Sequence, residues 1–210
     1  SEMQRIFLRQ LRETLHRVTP GETVQQRDNA LLADVIRAYG TMRQADAMKV
    51  SSEAAAKTLG CAKTARLAGP FGRGASNDHR THFAAEKAGP WPLVFDKDPS
   101  RMTPPRVVKV ERRGCSIRPS ESVEGGIYYV ETYVDLPAER DAIIAVQAAL
   151  AVFVDDTEVL TRDTREWCIW PRFGARVRLG TGRHRILARV GGPDTAIRLM
   201  TPQGLPLDVA

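Results

Sequence analysis

A chain of 210 residues with 42% hydrophobic content can bury a sizeable core without metal or disulfide staples. Its formal net charge of +6 permits an anionic partner, but the basic residues form no dense stripe of the kind a nucleic-acid domain carries. No apolar run reaches the ~18–20 residues of a membrane span, so neither nucleic-acid binding nor membrane insertion is expected.

The first segment to read is residues 3–18, where Phe7, Leu11, Leu15 and Val18 make the i, i+4 stripe of an amphipathic helix. Thr19-Pro20-Gly21 stops it, because the residue before proline resists the α region. A second helix is predicted over 24–39, with Leu31, Leu32, Val35, Ile36 and Tyr39 inward and Gly40 closing it. A third, rich in alanine, runs from about 42 or 43 to 59 and closes at Gly60. Alanine at a contact lets helices approach closely, so these segments are expected to pair antiparallel. The Ala38-Tyr39-Gly40 turn followed by Ala45 resembles a fragment of a tetratricopeptide-type array, a plain helical hairpin being the other reading.

From Ala65 the period changes. Residues 65–72 read as a short strand broken by Gly69-Pro70, followed by a polar loop through His82. Residues 88–105 contain five prolines and two aromatics, too many breaks for a central strand, and should wrap over a surface or an edge. A strand is predicted at 106–110, and a turn region over 112–126. In the stretch from Ile127 to Val134, Ile127, Tyr129 and Tyr133 alternate with Tyr128, Val130, Thr132 and Val134, which fits a pleated strand covered on at least one face. Further strands are predicted at 142–146, 150–154, 158–162, 167–170, 176–179, 183–190 and 196–200. The turns between them fall at Asp155-Asp156, Gly180-Thr181-Gly182 and Gly191-Gly192-Pro193-Asp194. Strands with turn signals about every 8–12 residues indicate a β-sandwich or jelly roll. The fold class is therefore α+β, with helical residues 1–64 preceding an antiparallel β-sandwich over 65–210.

That second part resembles a galactose-binding-like jelly roll. The likeness lies in Gly69-Pro70-Phe71-Gly72, in Tyr128-Tyr129-Val130-Glu131-Thr132-Tyr133-Val134, and in Val152-Phe153-Val154-Asp155-Asp156. It continues in Leu179-Gly180-x-Gly182-x-His184-x-x-Leu187 and in Arg198-Leu199 ahead of Gly204. Such modules commonly turn through Asn-Gly or Asp-Gly where this chain has Asp155-Asp156. The resemblance implies a module of a large bacterial multidomain protein that binds sugars, peptides or neighbouring domains, and fold alone constrains function loosely.

The residues capable of chemistry are few. His79 and His82 stand three apart near Asp78 and Glu86, without H-E-x-x-H spacing or a third ligand, so no metal is expected. Cys61, Cys115 and Cys168 lack C-x-x-C spacing, and no motif marks any of them as a nucleophile. A Cys61–Cys115 bridge is one available pairing, but with no demonstrated oxidising compartment free thiols are the expectation. Asp155, Asp156, Glu158 and Asp163 form an acidic turn that reads as a solvated hairpin rather than a calcium loop.

Arg176, Arg178, Arg185 and Arg189 are the sharper candidates. If 176–179 and 183–190 pair as a hairpin, their guanidinium groups share one sheet face and can hold an anionic glycan, a phosphate or an acidic partner. The alternative is an outer face balanced by nearby acids. Trp167 and Trp170 are three apart and so point to opposite faces, which allows one of them to stack on a sugar ring. Trp91, between two prolines, is expected to pin the long loop. The function expected is a non-catalytic scaffolding module, without cofactor, that binds a protein partner or adjacent domain. A carbohydrate-binding module, or an accessory domain of an enzyme whose catalytic part lies elsewhere, is the alternative. The first ten residues place charges where a signal peptide needs an apolar stretch, while Ser1 and Ala210 read as edges of a longer protein. The compartment stays open, envelope if the parent is exported and cytoplasm otherwise.

Overall fold

A computed structural model describes residues 52–161 and 174–207. The helices expected over 3–18 and 24–39, most of the third, and the strand at 167–170 lie outside the described residues. The end of the third helix is α1, Ser52–Thr58. The strands are β1 Arg66–Phe71, β2 Arg106–Val108, β3 Val110–Arg113, β4 Ser116–Pro119, β5 Ile127–Leu136, β6 Arg140–Val146, β7 Ala149–Val154, β8 Thr157–Thr161, β9 Gly174–Leu179, β10 Gly182–Val190 and β11 Ile197–Met200. Between β1 and β2 lie a single helical turn, Ala75–Asp78, and a 3₁₀ turn, Ala84–Glu86.

All named strand pairs are antiparallel, and they make a six-stranded sheet in the order β2-β1-β5-β10-β7-β8, a three-stranded sheet β11-β6-β9 and the hairpin β3-β4. Leu67, Val130, Val152 and Ile186 of the larger sheet share one apolar cluster with Ile144 and Leu199 of the smaller, so the body is a β-sandwich. After β5 the chain alternates between the sheets: β6 in the smaller, β7 and β8 in the larger, β9 back, β10 forward, β11 back.

β5 shows why this region read so clearly as a strand. Tyr128, Val130 and Val134 point between the sheets, and Ile127 and Tyr129 point to the outer face. That outer face is itself covered, because the segment between β1 and β2 folds across it. Trp91, Phe95 and Ala85 pack there on Phe71, Tyr129, Phe153 and Leu187. Phe71 meets Tyr129 and Phe95 edge-on at centroid distances of 5.3 and 5.1 Å, the arrangement that ring quadrupoles favour. The proline-rich segment thus wraps the sheet as expected, and Trp91 pins it, buried with its indole N–H donating to the Ala85 carbonyl at 2.9 Å. Gly69 sits before a cis proline where the β1–β5 register shifts, and a Cβ there would lie 2.6 Å from the Tyr128 ring. Only glycine fits that approach.

Three expectations are corrected. Residues 112–126 are not only turn: β3 and β4 form a hairpin through Gly114, whose φ of 61° suits glycine. Each strand is four residues long and largely charged or polar, which leaves little apolar alternation to read. Second, 176–179 and 183–190 do not pair. β9 joins β6 in the small sheet, with Val177 opposite Ala142, while β10 inserts between β5 and β7 in the large one. The Gly180-Thr181-Gly182 link therefore crosses between sheets. Burial explains the choice: from Arg185 to Val190 every residue of β10 is buried, which only a central strand covered on both faces provides.

Third, Cys61 and Cys115 form a disulfide, with Cα atoms 5.3 Å apart. The bridge ties the end of α1 to the β3–β4 hairpin. Around it the chain is fastened to β11: the Leu199 N–H donates to the Gly60 carbonyl at 2.8 Å, and the Ala62 N–H to Ile197 at 2.9 Å. Arg198 Nε reaches the carbonyl of buried Leu59 at 2.7 Å. Gly60, at φ 70°, ends the helix as the sequence predicted, and a Cβ there would lie 2.5 Å from the Leu199 oxygen.

Candidate functional site

The most polar buried region of the described chain lies on the outer face of the large sheet, beneath the segment between β1 and β2. Alternation on β5 puts Tyr129, Glu131 and Tyr133 on that face, and alternation on β10 puts Arg183, Arg185 and Arg189 beside them. Glu131 is 1% exposed. A buried carboxylate needs partners, and this one has three. Arg185 Nε donates at 2.8 Å and Tyr133 Oη at 3.2 Å to one oxygen, while Arg66 Nη1 of β1 donates to the other at 3.2 Å.

Arg185 holds more than Glu131. Its Nη1 donates to Asp156 at 2.6 Å, and its guanidinium lies 3.4 Å from the carbonyls of Ala85 and Lys87 on the covering segment. Burial opposes its charge, but the hydrogen bonds to Glu131 and Asp156 outweigh this and raise its pKa above the ordinary value. Arg189, 1% exposed, does the same one turn of the pleat away. Its Nη1 donates to the Thr81 carbonyl at 2.6 Å and to Glu86 at 2.9 Å. Glu86 also accepts from Tyr129 Oη and pairs with His82 Nδ1, both at 2.5 Å. Burial and the Glu86 charge push the Tyr129 phenol far up, which keeps it a neutral donor. The sheet's arginines thus bolt the covering segment down by its backbone carbonyls.

Where that segment ends, the face opens. Tyr133 is 36% exposed, with its hydroxyl tied back to Glu131 and the Arg183 guanidinium 4.4 Å from its ring centroid. Desolvation and the Glu131 charge raise the Tyr133 phenol as well. On the neighbouring strand Arg66 stands 5.3 Å from the Trp91 ring centroid and also donates to the Trp91 carbonyl at 3.4 Å. The outcome is a rim of guanidinium and aromatic groups in which Glu131 holds Tyr133 and Arg66 from below.

The acidic turn belongs to the same construction. Asp155 and Asp156 sit at φ 47° and 66°, left-handed values that aspartate tolerates better than most side chains. Their carboxylates are occupied: Asp155 accepts from the Arg185 backbone N–H at 2.9 Å and pairs with His184 Nδ1 at 2.6 Å, and Asp156 accepts from Arg185. The turn is an exposed hairpin, as expected, and its two carboxylates are ion-paired as well. His184 Nε2 lies 2.9 Å from the Gly180 carbonyl, so both ring nitrogens face acceptors. The Asp155 hydrogen bond raises the imidazole above its ordinary pKa.

The four arginines singled out from the sequence therefore divide between the sheets. Arg185 and Arg189 are buried in this network. Arg176 and Arg178 lie on the small sheet, where Arg176 reaches Asp141 at 3.2 Å and Arg178 pairs with Glu139 and, at 3.5 Å, Asp141. Trp167 and Trp170 lie outside the described residues, as do Cys168 and Asp163. Asp78 accepts from the Arg73 backbone N–H at 2.6 Å while His82 turns to Glu86, so the histidine loop does not converge on one point. Among the described residues no group of three or more His, Cys, Asp or Glu side chains is placed to hold a metal. No helix among the described residues is long and apolar enough to cross a membrane.

Sequence reading missed Glu131, Tyr133, Arg66 and Arg183 as a group. A signal was present: Glu131 is the one charge in the stretch from Ile127 to Val134, in phase with two tyrosines, and Arg183, Arg185 and Arg189 share one phase of β10. A lone carboxylate in an apolar strand implies a cationic partner on the adjacent strand. Comparison with protein families, with characterised proteins and with solved structures finds no match to this chain.

Proposed function

We propose that this chain is a non-catalytic interaction module of a larger protein, and that it docks a protein partner or a neighbouring domain on the open rim of its large sheet. The observation that carries the reading is Tyr133, exposed at the rim with its hydroxyl held by Glu131 beneath it and the Arg183 guanidinium over its ring. Tyrosine and arginine dominate binding hot spots because they offer large contact area and several donors, and a side chain already held loses little entropy on binding. The buried charges below are engaged with one another and with backbone carbonyls, an arrangement suited to support rather than to proton transfer.

Alternation of the chain between two facing sheets supports the finer reading of a galactose-binding-like jelly roll. The tetratricopeptide-like segment ahead of it is proposed from its sequence alone. The Cys61–Cys115 bridge supports folding in an oxidising compartment, and with it an exported parent. Carbohydrate binding is the second reading, favoured by a half-exposed Tyr133 ring on a polar sheet face. Substitution separates these. Arg183→Glu is expected to weaken a protein or domain contact by about tenfold or more, the cost of a charge-assisted hydrogen bond. Glycan-array binding lost in Tyr133→Ala supports the second reading, and turnover by the isolated chain refutes both.

A further inference from the structure

A second feature lies away from that rim. Between α1, the β3–β4 hairpin and the C-terminal stretch is a cavity of about 400 Å³, lined by Glu53, Ala56, Lys57, Lys63, Arg112, Gly114 and Leu207. This volume falls in the range of small-molecule sites, roughly 300–1,000 Å³. Three cations and one carboxylate line it, while Ala56 and Leu207 are buried and give it an apolar wall. The walls come from three separate stretches of chain: the Cys61–Cys115 bridge ties the α1 end to the hairpin, and the Leu207 N–H donates to the Leu199 carbonyl of β11 at 2.9 Å.

Two of the cations set the character of the cavity. Eight arginines of the sandwich face a carboxylate: Arg66, Arg101, Arg106, Arg118, Arg176, Arg178, Arg185 and Arg189 all make ion pairs. Arg112 has no carboxylate at ion-pair distance among the described residues, and its guanidinium makes a long 3.5 Å approach to the Gly114 carbonyl. Desolvation lowers its pKa, although the residue as a whole stays exposed to solvent. Lys57, one of the other cations lining the cavity, likewise has no carboxylate at ion-pair distance among the described residues.

We infer that this cavity is a binding site for a small organic anion, whose carboxylate or phosphate head is held by Arg112 and Lys57 and whose apolar body rests on Ala56 and Leu207. Arg112 suits a planar or tetrahedral oxyanion because its fork of N–H donors matches two oxygens at once, and Lys57 adds a point charge. The site does not depend on the docking rim, and either reading stands if the other falls.

The test uses the full chain with its disulfide intact and three probes: phenyl phosphate, inorganic phosphate and benzyl alcohol. An NMR titration should show saturable shifts for phenyl phosphate at residues of the cavity, weaker binding for inorganic phosphate, and none for benzyl alcohol. Arg112→Gln and Lys57→Gln should each weaken phenyl phosphate by about tenfold or more, the loss of one charge-assisted hydrogen bond. Arg118→Gln, on the same hairpin but paired with Glu111, should bind as the unaltered chain does. Melting temperatures of all three variants verify that they fold. No saturation, undiminished binding by Arg112→Gln, or shifts centred elsewhere would overturn the assignment. Equal affinity for the two phosphates would overturn its apolar half.

Discussion

Removing the Cys61–Cys115 bridge is the perturbation whose size follows most directly from the chain. The two cysteines are 54 residues apart in sequence, and the loop they close contains β1, the covering segment and β2–β3. For a loop of that length the chain-entropy relation gives about 14 cal/mol/K, or about 4 kcal/mol at 25 °C. For a body of this size each kcal/mol moves the melting temperature by about 2–4 °C, so the Cys61→Ala/Cys115→Ala double variant should melt about 8–16 °C lower. The fold should survive, because buried Leu59, the Arg198 bond to its carbonyl and the Gly60–Leu199 backbone bond still hold the segment on β11. Urea unfolding of the double variant, and of the unaltered chain with and without reductant, measures the loss. A change below about 1 kcal/mol in both would refute the reasoning, since the bridge would then constrain neither the unfolded chain nor the native one.

Two further outcomes are expected. Glu131→Gln leaves Arg66 and Arg185 facing a neutral amide, and should destabilise by about 3–5 kcal/mol as the breaking of a buried ion pair does. A loss under about 1 kcal/mol in urea melts would show that solvent reaches the pair. His184 makes stability pH-dependent: its folded pKa lies above the reference value of 6.5 because of Asp155, with the Gly180 carbonyl and Asp135 adding to the effect. A raised pKa means that this contribution is complete below pH 6.5 and is lost as the pH climbs through the folded value. His184→Gln should flatten stability across that window, and an unchanged slope would remove His184 from the turn's account.

How much of this could be read from the chain differs from element to element. β5 was legible because β-branched and aromatic side chains fill both its phases, and the 88–105 segment because proline cannot donate to a ladder. The separation of Arg176 and Arg178 from Arg185 and Arg189 was not, because pairing partners are chosen non-locally. Gly180-Thr181-Gly182 satisfies a hairpin as well as a crossing, and only the burial of both faces of β10 decides between them. The disulfide escaped for the same reason: nothing local brings residues 54 apart together until α1 docks on β11 and the β3–β4 hairpin bonds to Thr195. The Asp155-Asp156 turn was legible, whereas the bonds its carboxylates make to His184 and Arg185 were not, because those partners stand on β10, about 30 residues on.

The docking rim is tested most directly by a photoreactive side chain placed at position 133 in the parent protein, with a second placed at 118 for comparison. The account predicts cross-links from 133 to one protein partner or adjacent domain, abolished by Arg183→Glu and absent from 118. Adducts from both positions alike, or from neither, would contradict it.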